Sequence, residues 1–264
     1  MASGLIGMAV IKIGGSTVDA PGLLEEFAQS VKGFYRNHLP IIVHGGGKDI
    51  ARQLDKLNKE SVFVEGMRVT DEESVRVVQM VLSGDVNKRI VHELVKKNIP
   101  ALGLSGVDGG LLIATKLLVN GKDIGFVGEI GIVKDEIIHA LFAAGYISVI
   151  SPVSCGLHGE VYNVNADSAA SDIARAMKAG DLIFISDVPG VKIKDKVRKV
   201  IRISEIEGLI DSGDVTGGMI PKLRSAAAAV KAGVDRVHIC GWHGPTTLMD
   251  EMDEKTAQGT TIQK

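Results

Sequence analysis

Lys12, the run His44-Gly45-Gly46-Gly47, the run Asn163-Val-Asn-Ala-Asp167 and Lys222 carry the chain's chemical capability. The chemistry they suit is the handling of a polyanion. Lys12 interrupts the apolar run Val10-Ile11-Lys12-Ile13 and is followed at once by Gly14 and Gly15. An ammonium group is seldom buried without a partner, so Lys12 belongs near a strand's end, reaching toward an anion. The glycines beyond it let a phosphate approach backbone N–H groups. Read alone, the stretch suits an edge strand with a solvated lysine better, and the rest of the chain reverses that. The triple glycine stands between a strand ending at His44 and a helix starting at Lys48, where free N–H groups and the helix dipole converge. Asn163, Asn165 and Asp167 are all capping types at a helix start; one cap needs one of them, so three invite a site. Lys222 falls near the amino end of another helix, where a cation opposes the dipole and a bound polyanion would resolve the conflict. The alternative is an exposed lysine in an ordinary first turn. His44 by itself reads as a hydrogen-bonded packing residue rather than a catalyst or ligand.

Positioning these residues takes alternating strands and helices. Residues 10–13 read as a strand, 21–37 as a helix with Leu23, Leu24, Phe27 and Val31 at helical spacing, and 40–44 as a second buried strand. Together they sketch a right-handed βαβ unit. A helix over 48–57 follows, then a short hairpin over 61–69. Thr70-Asp-Glu-Glu73 is expected to form a capping box for a helix that passes Gly84 and resumes over 85–98, packed on the sheet and, as an alternative use of its second face, on another subunit. Strands are expected over 101–104 and 147–150, a β-ribbon over 111–133 and a helix over 135–145. The later part reads as a strand over 182–186, a turn over 187–190, a basic segment over 192–199 and a strand over 200–204. A second capping box is expected at Ser204-Glu-Ile-Glu207, a helix from Met219, a strand over 236–240, a short helix over 245–254 and a closing edge strand over 260–262.

Composition narrows the class. Of 264 residues, 45% are hydrophobic but only 4% aromatic, so the core must be aliphatic, which suits a parallel sheet buried on both faces. A net charge of -2 with dispersed lysines and arginines argues against a nucleic-acid partner. Cys155 and Cys240 show neither a disulfide framework nor zinc spacing, and no stretch has the length of a membrane span or the form of a signal peptide. A cytoplasmic protein is the expectation. Walker A fails because Gly47-Lys48 is followed by Asp49, and neither a complete G-x-G-x-x-G nor a G-x-S-x-G elbow is present.

Seven short patches, in order, resemble the amino acid kinase family: Lys12-Ile-Gly-Gly15, His44-Gly-Gly-Gly47, Gly66-Met-Arg-Val-Thr70, Val86-Asn-Lys88, Asn163-Val-Asn-Ala-Asp167, Ser186-Asp-Val-Pro-Gly190 and Gly218-Met-Ile-Pro-Lys222. Gly66 to Asp71 looks most like the family's acetylglutamate branch. The resemblance implies an α/β fold, a three-layer αβα sandwich around a mainly parallel central sheet. It implies a lobe over 1–178 that binds the acyl amino acid and forms a homodimer, and a lobe over 179–264 that binds ATP. The implied reaction is phosphorylation of the side-chain carboxylate of N-acetyl-L-glutamate, with Mg2+ held mainly through the nucleotide phosphates. By the same resemblance Lys12 and Lys222 would hold the transferring phosphoryl group, with Asp167 placing both. Gly14, Gly15, Gly45 and Gly46 would offer N–H groups to phosphate, and Gly45, Gly46, Arg68 and Asn163 would hold the acceptor. Asp187, Val188, Pro189, Gly190, Val191 and Lys192, with Asp214, Val215 and Thr216, would line the nucleotide pocket. Eleven residues precede Lys12, fewer than in members whose extra helix links dimers into arginine-inhibited hexamers, and Cys240-Gly-Trp-His-Gly-Pro245 lacks the Asp-Gly-Arg of many such members. A dimer without strong arginine feedback is expected. A kinase for N-acetyl-aminoadipate, one methylene longer, and a non-catalytic sensor of the same fold are the rival expectations.

Overall fold

The computed structural model describes residues 7–14 and 21–264. In chain order it runs β1 (Gly7–Ile13), α1 (Pro21–Phe34), β2 (His38–His44), α2 (Gly47–Lys56), the short strands β3 (Phe63–Val64) and β4 (Met67–Arg68), and α3 (Glu72–Gln79). A π-helical segment over Met80–Val86 joins α3 without a break to α4 (Asn87–Lys96). Then come β5 (Ala101–Ser105), β6 (Leu112–Val119), β7 (Lys122–Val133), α5 (Glu136–Ala143), β8 (Ile147–Ser151), β9 (Val153–Cys155), β10 (Val161–Val164) and α6 (Ala166–Ala176). The remainder is β11 (Asp181–Ser186), β12 (Lys192–Ile193), β13 (Lys196–Val197), β14 (Val200–Arg202), α7 (Ile206–Asp211), α8 (Met219–Lys231), β15 (Arg236–Gly241), α9 (Thr247–Met252) and β16 (Thr260–Gln263).

Eight strands form the central sheet in the order β14-β16-β15-β11-β1-β2-β8-β5, parallel except where β15 meets β16. Alternation along the strands sends Val10, Ile41, Leu182 and Phe184 to one face and Ala9, Ile11, Ile42 and Ile183 to the other, and all are fully buried. Helices α6 and α8 cover the first face through Ile173 and Leu223; α1, α4 and α9 cover the second through Phe27, Ile90 and Leu248. Full burial of each such side chain contributes about 1.5–3 kcal/mol, which is how a chain poor in aromatics holds three layers together. The strand carrying Lys12 lies at the centre of this sheet, not at its edge, because β2 and β11 flank it on both sides. That arrangement is a switch point, and the crevice beyond the carboxyl ends of β1, β2 and β11 is where an open α/β sheet binds ligands. Strands β6, β7, β9 and β10 close into a small barrel beside the sheet. Among the described residues no helix is long and apolar enough to cross a membrane.

Four local expectations are corrected. Thr70 does not cap α3. Its N–H donates to the Ile124 carbonyl at 3.0 Å and its own carbonyl accepts from Phe126 at 2.6 Å, which draws it into the barrel wall. The cap moves one residue on, to Asp71, whose carboxylate accepts from the Ser74 N–H at 2.8 Å. The Lys59 ammonium, 2.6 Å away, together with this cap holds the Asp71 carboxyl down to about 2. Because that value lies below the unfolded one, the cap stabilises above ordinary carboxylate pH and is lost as pH falls from about 4 toward 2. Asp71→Ala is expected to cost about 1 kcal/mol at neutral pH in urea melts, and less than a few tenths at pH 2. The helix does not pause at Gly84, which lies inside the π segment. No box forms at Ser204: the Glu205 carboxylate instead accepts from the Arg202 N–H at 2.8 Å, and Glu207 pairs with Arg224. Finally, β16 is not the sheet's edge, since β14 pairs outside it in parallel register.

Candidate active site

Three elements converge on one carboxylate. Val10 and Phe184 face the α6 and α8 side of the sheet, and strand alternation puts Lys12 on that same side, one residue before β1 ends. Asn165 caps α6, its side-chain oxygen accepting from the N–H groups of Asp167 at 2.9 Å and Ser168 at 3.1 Å, so Asp167 sits in the first turn. Lys222 is in the first turn of α8. Asp167 Oδ2 accepts from Lys222 Nζ at 2.6 Å, and Lys12 Nζ stands 2.8 Å from Oδ1 as an ion pair off the hydrogen-bonding direction. The Lys222 ammonium also lies 5.1 Å from the centre of the Phe184 ring, on its face. Burial is the largest single influence on Asp167 and would raise its pKa; the two ammonium groups together outweigh it and hold the carboxyl below its usual value. A carboxylate so placed stays charged through neutral pH. Two cations against one anion leave a net positive charge at the carboxyl ends of the strands.

Beside this triad opens a cleft of about 500 Å³ into which Gly45, Gly46, Gly47, Arg68 and Asn163 all face. At Gly46 any side chain would collide, since a Cβ would stand 2.6 Å from Leu82 Cδ2 and 3.1 Å from Val86 Cγ2. Gly45 departs from expectation. Its N–H donates to the Ile13 carbonyl at 3.1 Å, stitching the cradle to β1, so it is not free to bind phosphate. Gly46 and Gly47 line the cleft at the amino end of α2, where the helix dipole favours an anion. Gly14 follows β1 with its Cα side 3.6 Å from Lys12 Nζ, measured from where a Cβ would be. Gly15 lies outside the described residues.

Arg68 is 8% exposed, and its guanidinium donates to Ser61 Oγ and, at 2.9 Å, to the Gly47 carbonyl, while stacking 4.8 Å from the Phe63 ring centre. Among the described residues no carboxylate pairs with it. A buried guanidinium without an anion calls for one from outside. Asn163 donates to Thr70 Oγ1 at 3.2 Å, which fixes its amide at the cleft wall. Two further cleft residues, Glu129 and Asp172, were not legible in the sequence. Asp172 is bonded by Arg175 at 3.0 Å, and burial, with the nearby Glu129 charge, pushes its carboxyl upward. No short-range spacing links Glu129 on a barrel strand to Asp172 on α6.

The expected nucleotide residues divide. Asp187, Val188 and Pro189 are exposed just beyond β11, and Lys192, Asp214 and Thr216 are exposed as well. Val191 and Val215, 0% and 3% exposed, have their side chains in the core, so only their backbone is left to line a pocket. Val191 is pinned there by its N–H bond to Thr260 Oγ1 at 2.8 Å, and Val215 by its N–H bond to the Leu209 carbonyl at 3.0 Å. Gly190 is needed for closeness, because a Cβ would stand 2.8 Å from Val197 and 2.9 Å from Thr260. Asp214 accepts from Ser212 Oγ at 2.9 Å.

Known proteins share this arrangement of chain. The chain is 41% identical over 267 residues to the acetylglutamate kinase of Archaeoglobus fulgidus, covering 96% of this chain and 92% of that one. It is 44% identical over 245 residues to the acetylglutamate kinase of Methanopyrus kandleri, covering 90% and 96%. Among solved structures, the N-acetylglutamate synthase of Neisseria gonorrhoeae superposes with a TM-score of 0.87 at 23% identity, over 98% of this chain and 59% of that one, a likeness of fold. The model of the amino acid kinase family matches residues 7–241, and with it this chain belongs to that family.

Proposed function

We propose that this chain transfers the γ-phosphoryl group of ATP to the side-chain carboxylate of N-acetyl-L-glutamate, as the names of its kinase relatives describe for them. The observation that supports the reading is Arg68, a buried guanidinium without a carboxylate, facing a cleft whose wall includes Ala166 and Ser168, the chain neighbours of the aspartate that two lysines share. A glutamate carboxylate, with an ordinary pKa of about 4.3, is ionised at neutral pH, so its attack needs no general base. One of its oxygens forms the new bond to the γ-phosphorus while the bond to the β–γ bridging oxygen breaks, and ADP leaves with that electron pair. What such a reaction lacks is positive charge. Negative charge spreads over the oxygens of a loose transition state, and Lys12, Lys222 and the N–H groups of Gly14, Gly15 and Gly46 answer it. Arg68 and Asn163 take the α-carboxylate and neighbouring polar atoms.

The segment over 1–178 would then hold the acceptor and the segment over 179–264 the nucleotide, along the exposed loops at Asp187, Lys192, Asp214 and Thr216. Both share one sheet, since β1 pairs directly with β11. Asp167 is paired with both lysines. In this reading Mg2+ enters as part of the substrate, on the triphosphate. A homodimer in the cytoplasm completes the reading; Met80 and Val95, 61% and 54% exposed along the helix from α3 to α4, offer a surface for it.

The test is ADP release from Mg-ATP with N-acetylglutamate, glutamate, aspartate, N-acetyl-aminoadipate and UMP compared, the acyl phosphate being trapped with hydroxylamine. Turnover confined to N-acetylglutamate is expected. A preference for N-acetyl-aminoadipate would redraw only the far wall of the cleft, since a methylene is worth about 1–3 kcal/mol, and no turnover would favour a sensor. Arg68→Lys is expected to raise the acceptor KM about tenfold or more with a smaller change in kcat, because one ammonium cannot replace the fork; unchanged affinity would remove Arg68 from the site.

A further inference from the structure

Behind the glycine cradle lies a buried polar pair that the chemistry above leaves unused. His44, the last residue of β2, is fully buried, and so is Asn87 at the start of α4. His44 Nδ1 stands 2.9 Å from the Gly45 carbonyl oxygen, and Nε2 stands 3.1 Å from Asn87 Nδ2. The neighbours decide which ring nitrogen carries the proton. Asn87 Nδ2 also faces the carbonyls of Val149 at 3.0 Å and Leu104 at 3.2 Å, which can only accept, so its two protons are shared among three acceptors. Its Oδ1 accepts from the Lys88 ammonium at 3.0 Å, which can only donate. Turning the amide round would set NH2 against ammonium and carbonyl against carbonyl. Asn87 is therefore the donor to Nε2, and the single proton of the neutral ring belongs on Nδ1, where Gly45 accepts it. Burial keeps the ring neutral, pulling its pKa down to about 4. Gly103 leaves room for this, since a Cβ there would stand 2.0 Å from Asn87 Oδ1.

The peptide joining Gly45 to Gly46 is trans, so its carbonyl and its N–H point in opposite directions. Holding the carbonyl on the His44 side turns the Gly46 N–H away from the core, toward the cleft that Gly46 lines. Three consecutive glycines have little torsional preference of their own, and something must choose this orientation. Leu82 and Val86 limit where Gly46 can sit, but apolar contacts do not set which way a peptide faces. We propose that His44 is a positioning residue: donating from Nδ1 to the Gly45 carbonyl, in the tautomer that Asn87 imposes, it aims the Gly46 N–H at the oxygens of the group being transferred. What that N–H binds rests on the function proposed above; the tautomer and the peptide orientation do not.

Two variants separate the ring nitrogens. His44→Asn returns an amide N–H near the Nδ1 position, whereas His44→Gln places it near Nε2, and both lose comparable packing. His44→Gln is expected to lower kcat about 10²-fold, the scale of one lost oxyanion donor, with less than about a threefold change in acceptor KM. His44→Asn is expected to recover about tenfold of that loss. Equal kcat in the two variants, or a loss confined to KM, overturns the inference. The 15N spectrum of histidine-labelled wild-type protein without substrate should show a protonated Nδ1 and a bare Nε2 at neutral pH; a proton on Nε2 overturns it even if neither variant folds. Because the spectrum needs no turnover, a failed substrate reading would show separately, as an inactive wild type with the Nδ1 tautomer intact.

Discussion

Replacing Lys222 with alanine is expected to lower kcat by about 10²–10³-fold, or roughly 2.7–4 kcal/mol of transition-state stabilisation, while KM for either substrate moves less than about tenfold. The reason lies in where its ammonium is held. It is 13% exposed, bonded to Asp167 at 2.6 Å and seated over Phe184, so little water competes with a phosphoryl oxygen for it. Charge that grows on that oxygen during transfer is answered without reorganisation, and the ground state gains less. Lys12, on the other oxygen of Asp167, supplies the residual rate. Lys222→Arg keeps the charge but carries a planar, longer head into a space set by Asp167 and Phe184, and an intermediate loss is expected. Steady-state kinetics with both substrates varied decide the matter: a selective rise in KM with kcat unchanged would remove Lys222 from the transition state.

Asp167→Asn should show a second, differently shaped defect. The amide keeps the size of the side chain but removes the charge shared by two ammonium groups that are 12% and 13% exposed. Left alone, those cations repel each other, and a broken pair of this kind costs about 3 kcal/mol when partly buried. A fall in kcat of about 10²-fold is expected because neither lysine is held at its oxygen. The triphosphate can stand in for the missing anion. Mg-ATP should therefore raise the melting temperature of Asp167→Asn by more than it raises that of the wild type, a comparison that calorimetry makes directly. Equal shifts would mean that the lysines do not face the nucleotide. In the wild type the Asp167 carboxyl lies below its ordinary value, so the ion pairs persist at neutral and mildly acid pH and are lost only as pH falls below the usual carboxylate range.

Much of the architecture was legible because it is local. The β-prone apolar run at Val10, Ile11 and Ile13, the apolar spacing of Leu24, Phe27 and Val31, and Gly145 closing α5 with a φ of 84° each act over a few residues, and each element formed where these signals indicated. Thr70 was misread for the same reason. Its sequence neighbours describe a cap, but its hydrogen bonds to Ile124 and Phe126 come from a barrel strand about 50 residues away and overrule them. Val191 and Val215 sit inside motifs that point toward a nucleotide, yet burial against Thr260 and Leu209 turns them into the core.

Residue types at the site, the carboxyl-end position of Lys12, the glycine-before-helix cradle and the order of strands and helices can all be read from the chain's short windows, because propensity and periodicity are properties of such windows. It took the packed fold to bring Lys12, Asp167 and Lys222 to one face of the sheet, to commit the Gly45 N–H to Ile13, to bury Arg68 without an anion and to set Asn87 against His44. Each of those depends on which distant element packs over a given face and at what register. A packed partner changes burial, charge and hydrogen bonding at once, and no short window contains it.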